Sequence, residues 1–268
     1  MSEWDWAGLR NRSAIVEDAA ILALNKPAGI SVIGDSYETD IVRLASEAKE
    51  QLFPVHRIDK VTTGVVLFAK NIEAHGNLTR QFNKRTVDKR YLIITKTVGL
   101  PPEGIIDLPL TTGRKGLVRI AALKESIQWD TQNSRWWVPA RDHLPDKKLY
   151  PSLTRFATLW SDSEFSLVLA QPVSGRKQQL RVHFAWIGHP IFRDPLFDKT
   201  ELEAGWQTCL HSWRLEFDAA WRDGTRMEIE GPPPPEFWRP LETRLPTAVR
   251  TELLKQARKY QFRSTSLT

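Results

Sequence analysis

The sequence of 268 residues contains a single cysteine, Cys209. One cysteine excludes an internal disulfide framework and is typical of a reducing compartment. The longest purely apolar run, residues 19–24, is far shorter than the ~18 residues that a membrane-spanning helix requires. The N-terminal stretch MSEWDWAGLR is acidic and aromatic, unlike a secretory signal peptide. These absences predict a soluble, cytoplasmic protein with no membrane segment.

Motifs of several common chemistries are also missing. The six histidines follow neither an HExxH pattern nor a Cys/His ligand spacing, so we expect no metal site. No GxxxxGK[ST] or GxGxxG stretch is present to cradle a nucleotide phosphate, and no GxSxG stretch marks a serine hydrolase. The site must therefore be sought among other residue patterns.

The composition is that of a globular protein with a basic balance. Hydrophobic residues make up 41% and charged residues 26%, enough to bury a core. The length suggests one large domain or two small ones. Lys and Arg number 38 against 32 Asp and Glu, and the net charge of +6 permits a polyanionic partner without requiring one.

Short apolar runs and helical periods alternate along the chain and predict a mixed α+β domain. Strands are predicted within residues 21–34, 65–70, 90–98, 164–173, 210–217 and 226–231, and helices at 40–50, 72–84, 176–187 and 247–262. Residues 111–150 show no clear period and predict turns and ragged strands. Trp136 and Trp137 within them could form a stacking or partner surface.

Two charged stretches are the candidate sites. In HRIDKVTTGVVLFAKN (56–71), Asp59 lies among cations, which favour an ionised carboxylate and suit a nucleophile or electrostatic stabiliser. A surface ion pair is the alternative. In SGRKQQLRVHFAWIGHPIFRD (174–194), helical spacing brings Arg176, Arg181 and His183 together. The alternative here is a basic amphipathic helix whose histidine is satisfied within the fold.

Both stretches resemble signatures of one family. HRIDKVTTGVVLFAKN resembles the H-R-L-D-x-x-T-S-G-x-L-L-x-A-K signature of the RluA-type pseudouridine synthases, and SGRKQQLRVHFAWIGHPIFRDPLF resembles their T-G-R-x-H-Q-I-R-x-H-x-x-x-x-G-x-P-I-x-G-D. NKPAG (25–29), KRYLIIT (89–95), PSLTRFATLW (151–160) and LHSWRLEF (210–217) are similar to further motifs, in the family's order. The resemblance runs from about Ile21 to Phe237.

The resemblance implies the α+β pseudouridine synthase catalytic fold. That fold is a long, mostly antiparallel mixed sheet flanked by helices, with a central cleft. We expect an N-terminal extension at 1–20, the catalytic domain at 21–237 and a C-terminal helical tail at 238–268. Family members often carry an additional RNA-binding domain of the S4 type, for which the first twenty residues are too few. We therefore expect a monomer that selects RNA through its catalytic domain, the 111–150 region or the terminal helix.

The implied activity is the isomerisation of uridine to pseudouridine in ribosomal or transfer RNA, without a cofactor or metal. Asp59 matches the family's catalytic aspartate, Arg181 the arginine that pairs with it, and Tyr91 the tyrosine that stacks on the target base. Arg57 matches the residue that fills the gap left by the flipped base, and Leu180 the apolar residue beside the uracil. Further substrate contacts are expected from three residues near the signatures: His56, Lys60 and Arg176.

The chain departs from the family pattern at two positions. Gln178 stands where His is usual, and Arg193 where Gly is usual. If that glycine takes a positive φ, Arg193 strains the backbone. Two other functions stay open: a catalytically silent RNA-binding protein of the same fold, and a basic scaffold that binds proteins through its Trp-rich segments. The intact Asp59, Arg181 and Tyr91 favour the enzyme.

Overall fold

The computed structural model describes residues 4–34, 39–113, 116–145, 147–198 and 207–263. The strands are β1 (Ala14–Glu17), β2 (Ile21–Lys26), β3 (Phe53–Pro54), β4 (Thr63–Ala69), β5 (Asp88–Thr95), β6 (Glu103–Asp107), β7 (Leu110–Thr112), β8 (Val118–Ile120), β9 (Gln128–Asp130), β10 (Arg135–Trp137), β11 (Leu153–Ser161), β12 (Ser166–Pro172), β13 (Leu210–Ala219) and β14 (Thr225–Glu230). The helices are α1 (Trp6–Ser13), α2 (Ile41–Glu47), α3 (Ile72–Lys84), α4 (Gln179–Trp186), α5 (Pro235–Trp238) and α6 (Thr247–Lys259). The predicted α+β class is confirmed.

The chain divides into two compact units. Unit 1 comprises Met1–Arg90 and Leu210–Pro234, and unit 2 comprises Tyr91–Cys209 and Pro235–Thr268. These units do not coincide with the predicted extension (1–20), catalytic domain (21–237) and tail (238–268). That predicted division stays a prediction. The described part of the predicted extension forms α1 and β1, and β1 pairs with β2 inside unit 1.

The sheet of unit 1 is built around β4. Strand β2 lies antiparallel to β4 on one side, and β13 lies parallel to it on the other. Every residue of β4 is buried, as in a strand that is covered on both faces. Helix α3 is capped by Asn71, whose side chain accepts the N–H of Ala74, and it buries Ala74 and Leu78. This packing holds the end of β4, where the first signature also ends.

The sheet of unit 2 is mostly antiparallel. Strand β12 pairs with β5 and β11, and β11 pairs with β6, all antiparallel. Strand β10 then runs parallel to β6, and β9 closes antiparallel on β10. Phe156 of β11 meets Phe184 of α4 edge to face, with ring centroids 5.6 Å apart. The contact packs α4, which carries Arg181, against this sheet.

The C-terminal helix differs in detail from the prediction. The helix was predicted at 247–262, with Val249 on a packed apolar side and Arg250 turned outward. Helix α6 ends at Lys259, and Val249 is 42% exposed. Arg250 instead donates to the carbonyl of Leu245 at 2.6 Å and lies over the ring of Trp238. The apolar side is wrong for Val249, whereas Ala257 is buried and Leu253 and Leu254 are half-buried, as predicted. The outward direction of Arg250 is wrong because an arginine can bury its stem and use its guanidinium on helix-end carbonyls.

No helix in the described parts of the chain is both long and apolar enough to cross a membrane.

Candidate active site

The first signature forms the loop between β3 and β4, which we call the HRIDK loop (residues 56–62). Ile58 is buried at 7% exposure, whereas Arg57 and Lys60 are exposed and Asp59 is half-buried. The carbonyl of Asp59 accepts the N–H of Thr62 at 3.0 Å, which makes a tight turn. The turn therefore presents Asp59 on a short segment that is anchored by Ile58 and by the buried Thr62.

A second turn, at residues 27–30, begins within NKPAG (25–29) and holds the HRIDK loop from the side. The N–H of Gly29 donates to the carbonyl of Lys60 at 2.9 Å. The buried ammonium of Lys26 donates to the carbonyls of Pro27 at 2.7 Å and Ile30 at 2.9 Å, and it reaches that of Lys60 at 3.4 Å. Burial lowers the pKa of Lys26 to about 7, while the negative charge of Asp59 acts in the opposite direction. Asp59 is thus the charged group that favours the protonated form of Lys26.

Gly64 fixes the register beside the loop. Its φ is +110°, and a Cβ at this position would lie 2.1 Å from the carbonyl oxygen of Ser212 in β13. No side chain can be accommodated at that distance, so only glycine lets β4 and β13 approach this closely. The glycine of the signature therefore serves the backbone that follows Asp59.

His56 is held inside unit 1. Its Nε2 accepts the N–H of Leu67 at 3.0 Å, and its ring stacks on Phe82 with centroids 4.7 Å apart. Burial, with a smaller effect from the cation of Lys89, lowers the pKa of His56 to about 3. The ring is therefore neutral, with its proton on Nδ1. The substrate contact predicted for His56 stays a prediction, and Nδ1 is the nitrogen that would make it.

The second signature places Arg181 on α4, where it binds Asp194. Arg181 Nε donates to Asp194 Oδ2 at 2.6 Å, and Nη2 donates to Oδ1 at 2.8 Å. The two side chains are 5% and 0% exposed. Such bidentate, charge-assisted hydrogen bonds are roughly twice as strong as neutral ones. The sequence analysis did not single out Asp194, although the aspartate that closes the second signature was the available signal.

A buried polar network holds α4 in place. Gln179 donates through Nε2 to the carbonyl of Leu153 and to the hydroxyl of Thr154, both at 3.0 Å. His183 donates through Nε2 to the carbonyl of Leu108, so its Nδ1 accepts the Thr154 hydroxyl, each at 3.0 Å. Burial lowers the pKa of His183 to about 4. The interpretation of His183 as a satisfied histidine agrees with these bonds.

The alternative interpretation of α4, a basic amphipathic helix, does not agree with the structure. Residues 179–184 are all buried, because the polar groups among them bond within unit 2 rather than to solvent. Periodicity could not show this, since a polar residue that is fully bonded in a core reads as a surface residue.

Both departures from the family pattern adopt left-handed backbone conformations. Gln178, which precedes α4, has a φ of 54°, and Arg193 has a φ of 63°. A positive φ costs a non-glycine residue of the order of 1–3 kcal/mol, so the expected strain at Arg193 agrees with its backbone. The Arg193 N–H donates to Asp198 Oδ2 at 2.7 Å, and its carbonyl accepts the Thr208 hydroxyl at 2.9 Å. Bonds from both the N–H and the carbonyl of Arg193 hold the turn that carries Asp194.

The remaining predicted residues lie in unit 2. Tyr91 lies on β5 opposite Ala170 and is 9% exposed, and Leu180 is 6% exposed on α4. The Arg176 guanidinium lies 5.5 Å from the ring centroid of Tyr150, a cation–π contact. Asp59 belongs to unit 1, so its pairing with Arg181 and its approach to Tyr91 stay predictions.

No group of three or more His, Cys, Asp or Glu side chains that could hold a metal ion is present in the described ranges. Cys209 is buried, and burial raises the pKa of its thiol. A thiol in that state is a poor nucleophile.

Comparison with known proteins decides the family. The model of the RNA pseudouridylate synthase family matches residues 20–186, a span that contains the HRIDK loop, Tyr91 and α4. The chain belongs to this family. It is therefore an isomerase that acts on uridine in RNA, as the sequence predicts.

Curated relatives agree with the RluA-type resemblance. A tRNA pseudouridine synthase C of Haemophilus ducreyi is 34% identical over 185 residues, which cover 67% of this chain and 71% of the relative. A ribosomal large subunit pseudouridine synthase D of Nitrosomonas europaea is 30% identical over 218 residues, which cover 75% of this chain and 56% of the relative. An uncharacterised RNA pseudouridine synthase of Haemophilus influenzae is 26% identical over 206 residues, covering 76% and 81%.

Solved structures agree on the fold. The human RNA pseudouridylate synthase domain containing 4 superposes with a TM-score of 0.68 at 24% identity, covering 88% of this chain and 93% of that one. The human RNA pseudouridylate synthase domain containing 1 gives 0.66 at 20% identity, covering 94% and 96%. The predicted pseudouridine synthase fold is confirmed.

Proposed function

We propose that this protein converts uridine to pseudouridine in ribosomal or transfer RNA, with Asp59 as its catalytic carboxylate. Arg181 is its predicted partner, and Tyr91 is the ring that stacks on the target base. The observation that carries the proposal is the setting of Asp59, half-buried on a loop that Lys26 and Gly29 brace from the neighbouring turn. Relatives named for both ribosomal and transfer RNA support both substrate classes.

The reaction requires little of the protein beyond positioning the substrate and one carboxylate. The bond between N1 and C1′ breaks, the uracil turns, and a bond forms between C5 and C1′. C5 loses its proton and N1 gains one, so the substrate is neither oxidised nor reduced. The proposal therefore requires no cofactor or metal. A single carboxylate suffices because the released base stays bound and no water attacks the sugar, unlike in glycosidases with paired acids.

The target base must leave its stack before Asp59 can reach it. Extrusion costs a few kcal/mol, which stacking on Tyr91 and contact with Leu180 would offset. Arg57, exposed beside Asp59, fills the gap that the base leaves. Three further residues would contact the backbone phosphates: His56, Lys60 and Arg176. The net charge of +6 supports such an electrostatic contribution.

Tritium release tests the role of Asp59. RNA labelled at C5 of uridine should release tritium with the wild-type protein and only background with folded Asp59→Asn, which is nearly isosteric. Asp223→Asn, an exposed aspartate of the same unit, is the charge-matched control and should stay active. A folded Asp59→Asn protein with a rate near wild type would refute the proposal. Wild-type protein that binds RNA without releasing tritium would instead be the silent binder.

Mapping pseudouridine across ribosomal and transfer RNA, with and without the gene, would identify the modified uridine.

We further propose that the protein acts as a cytoplasmic monomer. A light-scattering mass of two chains would contradict the monomer.

A further inference from the structure

Tyr150 brings two cations together in unit 2. The Nζ of Lys148 lies 5.4 Å from the centroid of its ring, and the guanidinium carbon of Arg176 lies 5.5 Å from the same point. Both distances are within the roughly 6 Å over which an aromatic ring attracts a cation. The two charges are therefore at most the sum of these distances apart, about 11 Å. We call Lys148, Tyr150 and Arg176 the Tyr150 cluster.

Backbone hydrogen bonds hold two members of the cluster in place. The N–H of Tyr150 donates to the carbonyl of Leu110 at 2.8 Å, and its carbonyl accepts the N–H of Leu110 at 3.0 Å and the hydroxyl of Ser152 at 2.8 Å. The N–H of Arg176 donates to Gln179 Oε1 at 3.2 Å, and its carbonyl accepts the N–H of Gln179 at 3.1 Å. The cluster is thus held before any ligand arrives, and a preorganised site loses less conformational freedom on binding.

The two cations lack the kind of partner that other cations of the chain have. Arg135, for example, forms an ion pair with Asp107. Among the residues that the structure describes, neither Lys148 nor Arg176 has a carboxylate partner, and Arg176 Nε has no hydrogen-bond acceptor. Lys148 is exposed and the other two members of the cluster are half-buried, so a ligand can reach them. Like charges at this separation repel each other, and a polyanion would neutralise both at once.

The cluster lies near the place where the target base is expected. Arg176 precedes Leu180 by four residues in the second signature, and four residues span at most about 14 Å. Leu180 is the apolar residue that we expect beside the uracil. Phosphates bound by the cluster would therefore belong to nucleotides close to the target uridine.

We infer that the Tyr150 cluster binds phosphates of the RNA backbone, with Lys148 and Arg176 as the contacting cations and Tyr150 as the positioning residue that holds them. The inference rests on the proposed function, in which RNA is the substrate. Arg176 was expected from the second signature, whereas Lys148 and Tyr150 belong to the 111–150 region. Phosphate contacts orient a nucleic acid without reading its sequence, so the cluster orients RNA on unit 2.

Binding of a short single-stranded oligouridylate tests the inference. Fluorescence anisotropy gives its affinity at several salt concentrations, and circular dichroism shows that each variant is folded. Lys148→Gln removes one charge, Tyr150→Leu removes the ring and keeps both charges, and Tyr150→Phe keeps the ring. Lys147→Gln is the matched control, because Lys147 is the exposed lysine next to the cluster and is not part of it.

We expect Lys148→Gln to lower the salt slope by about 0.7, the value of one phosphate contact on a single strand. In about 0.1 M salt, one decade below 1 M, this slope corresponds to a loss of affinity of about fivefold. Tyr150→Leu should weaken binding by less, since both charges remain, while Tyr150→Phe and Lys147→Gln should resemble wild type.

Four results would overturn the inference. One is folded Lys148→Gln with wild-type affinity and salt slope, and another is an equal loss in Lys147→Gln, which would make the effect one of general charge. Tyr150→Leu that binds like wild type would remove the positioning role of the ring. Wild-type protein that does not bind the oligouridylate would also overturn the inference.

Steady-state kinetics of tritium release provide a second readout. Lys148→Gln should raise KM by about the same factor as it weakens binding and leave kcat near the wild-type value, as expected when uniform binding is lost. A fall in kcat at unchanged KM would place Lys148 in the chemistry and contradict a phosphate contact.

The two possible failures can be told apart. If the wild type binds RNA but releases no tritium, the proposed function fails, and the anisotropy measurements still decide the role of the cluster. If the wild type releases tritium while Lys148→Gln keeps its affinity and salt slope, only the role of the cluster fails.

Discussion

Asp194→Asn should destabilise the protein strongly, although it only replaces one carboxylate oxygen with an amide group. In the wild type, the Asp194 carboxylate accepts two bonds from Arg181 and the N–H of Leu196 at 2.9 Å. Both members of the pair are buried, so the change leaves the Arg181 charge without this counterion. Removing one partner of a buried pair costs about 3–5 kcal/mol. We expect about 3 kcal/mol here, because the amide oxygen of the asparagine can still accept one bond.

Urea unfolding measures the loss, with a surface pair as control. Arg43 and Glu47 form an exposed ion pair one helical turn apart, so Glu47→Gln should cost only about 0.3–0.5 kcal/mol. Fluorescence and circular dichroism should be recorded together, because coincident transitions justify a two-state free energy. If Asp194→Asn loses no more stability than Glu47→Gln, the reasoning about the buried pair is wrong.

The paired replacement Arg181→Met with Asp194→Leu separates stability from chemistry. Apolar residues of similar volume can replace a buried pair at little cost, so the double variant should regain much of the lost stability. It should still fail to release tritium, since the guanidinium is gone. A stable and active double variant would remove Arg181 from the reaction.

Three further predictions concern binding, recognition and acid stability. RNA affinity should fall with salt at about −0.7 log units per phosphate contact per log unit of salt, in Asp59→Ala as in wild type; a flat filter-binding curve would contradict this. Tyr91→Phe should keep stacking worth about 1–3 kcal/mol per base, and Tyr91→Ala should lose it. A large kcat loss in Tyr91→Phe with RNA binding preserved would instead assign a chemical or hydrogen-bonding role to the hydroxyl. Burial lowers the pKa of His183 and of His211 to about 4. The unfolded chain takes up these protons near pH 6.5, so the free energy of unfolding should be greatest above about pH 6.5. It should fall by up to about 3 kcal/mol per histidine as the pH is lowered towards 4, and the fall should be smaller in His183→Asn than in wild type.

The regular parts of the fold could be predicted from the sequence. Helix α3 was predicted at 72–84 and has those bounds, because its amphipathic period and its Asn71 cap agree. Strand β4 was predicted from the β-branched and aromatic run VVLFAK (65–70). The short strands of residues 111–150 could not be located, since strands of three residues span too little chain to show alternation.

The candidate site could be predicted only in part. Asp59 and Arg181 were accessible because they lie in recognisable motifs. The pairing of Arg181 with Asp194 was not, because thirteen residues and a change of chain direction separate them. Lys26 was missed for a different reason: its partners are backbone carbonyls, which leave no trace in the pattern of side chains. Sequence shows which side chains are present, and the fold decides which carbonyls they meet.

The signatures therefore combine two kinds of residue that a pattern cannot separate. Gly64 and Gln179 shape backbone and core without any chemistry of their own, the first by admitting Ser212 of β13 and the second by bonding four groups around α4. Asp59 and Arg181 are assigned the reaction. A strained or loosened backbone moves the catalytic carboxylate out of position, so variants of the first kind should lose activity together with stability. Asp59 variants should lose activity while the fold persists, which is what identifies a reacting group. Single Arg181 variants also break the buried pair with Asp194, so the paired replacement is needed to separate stability from chemistry.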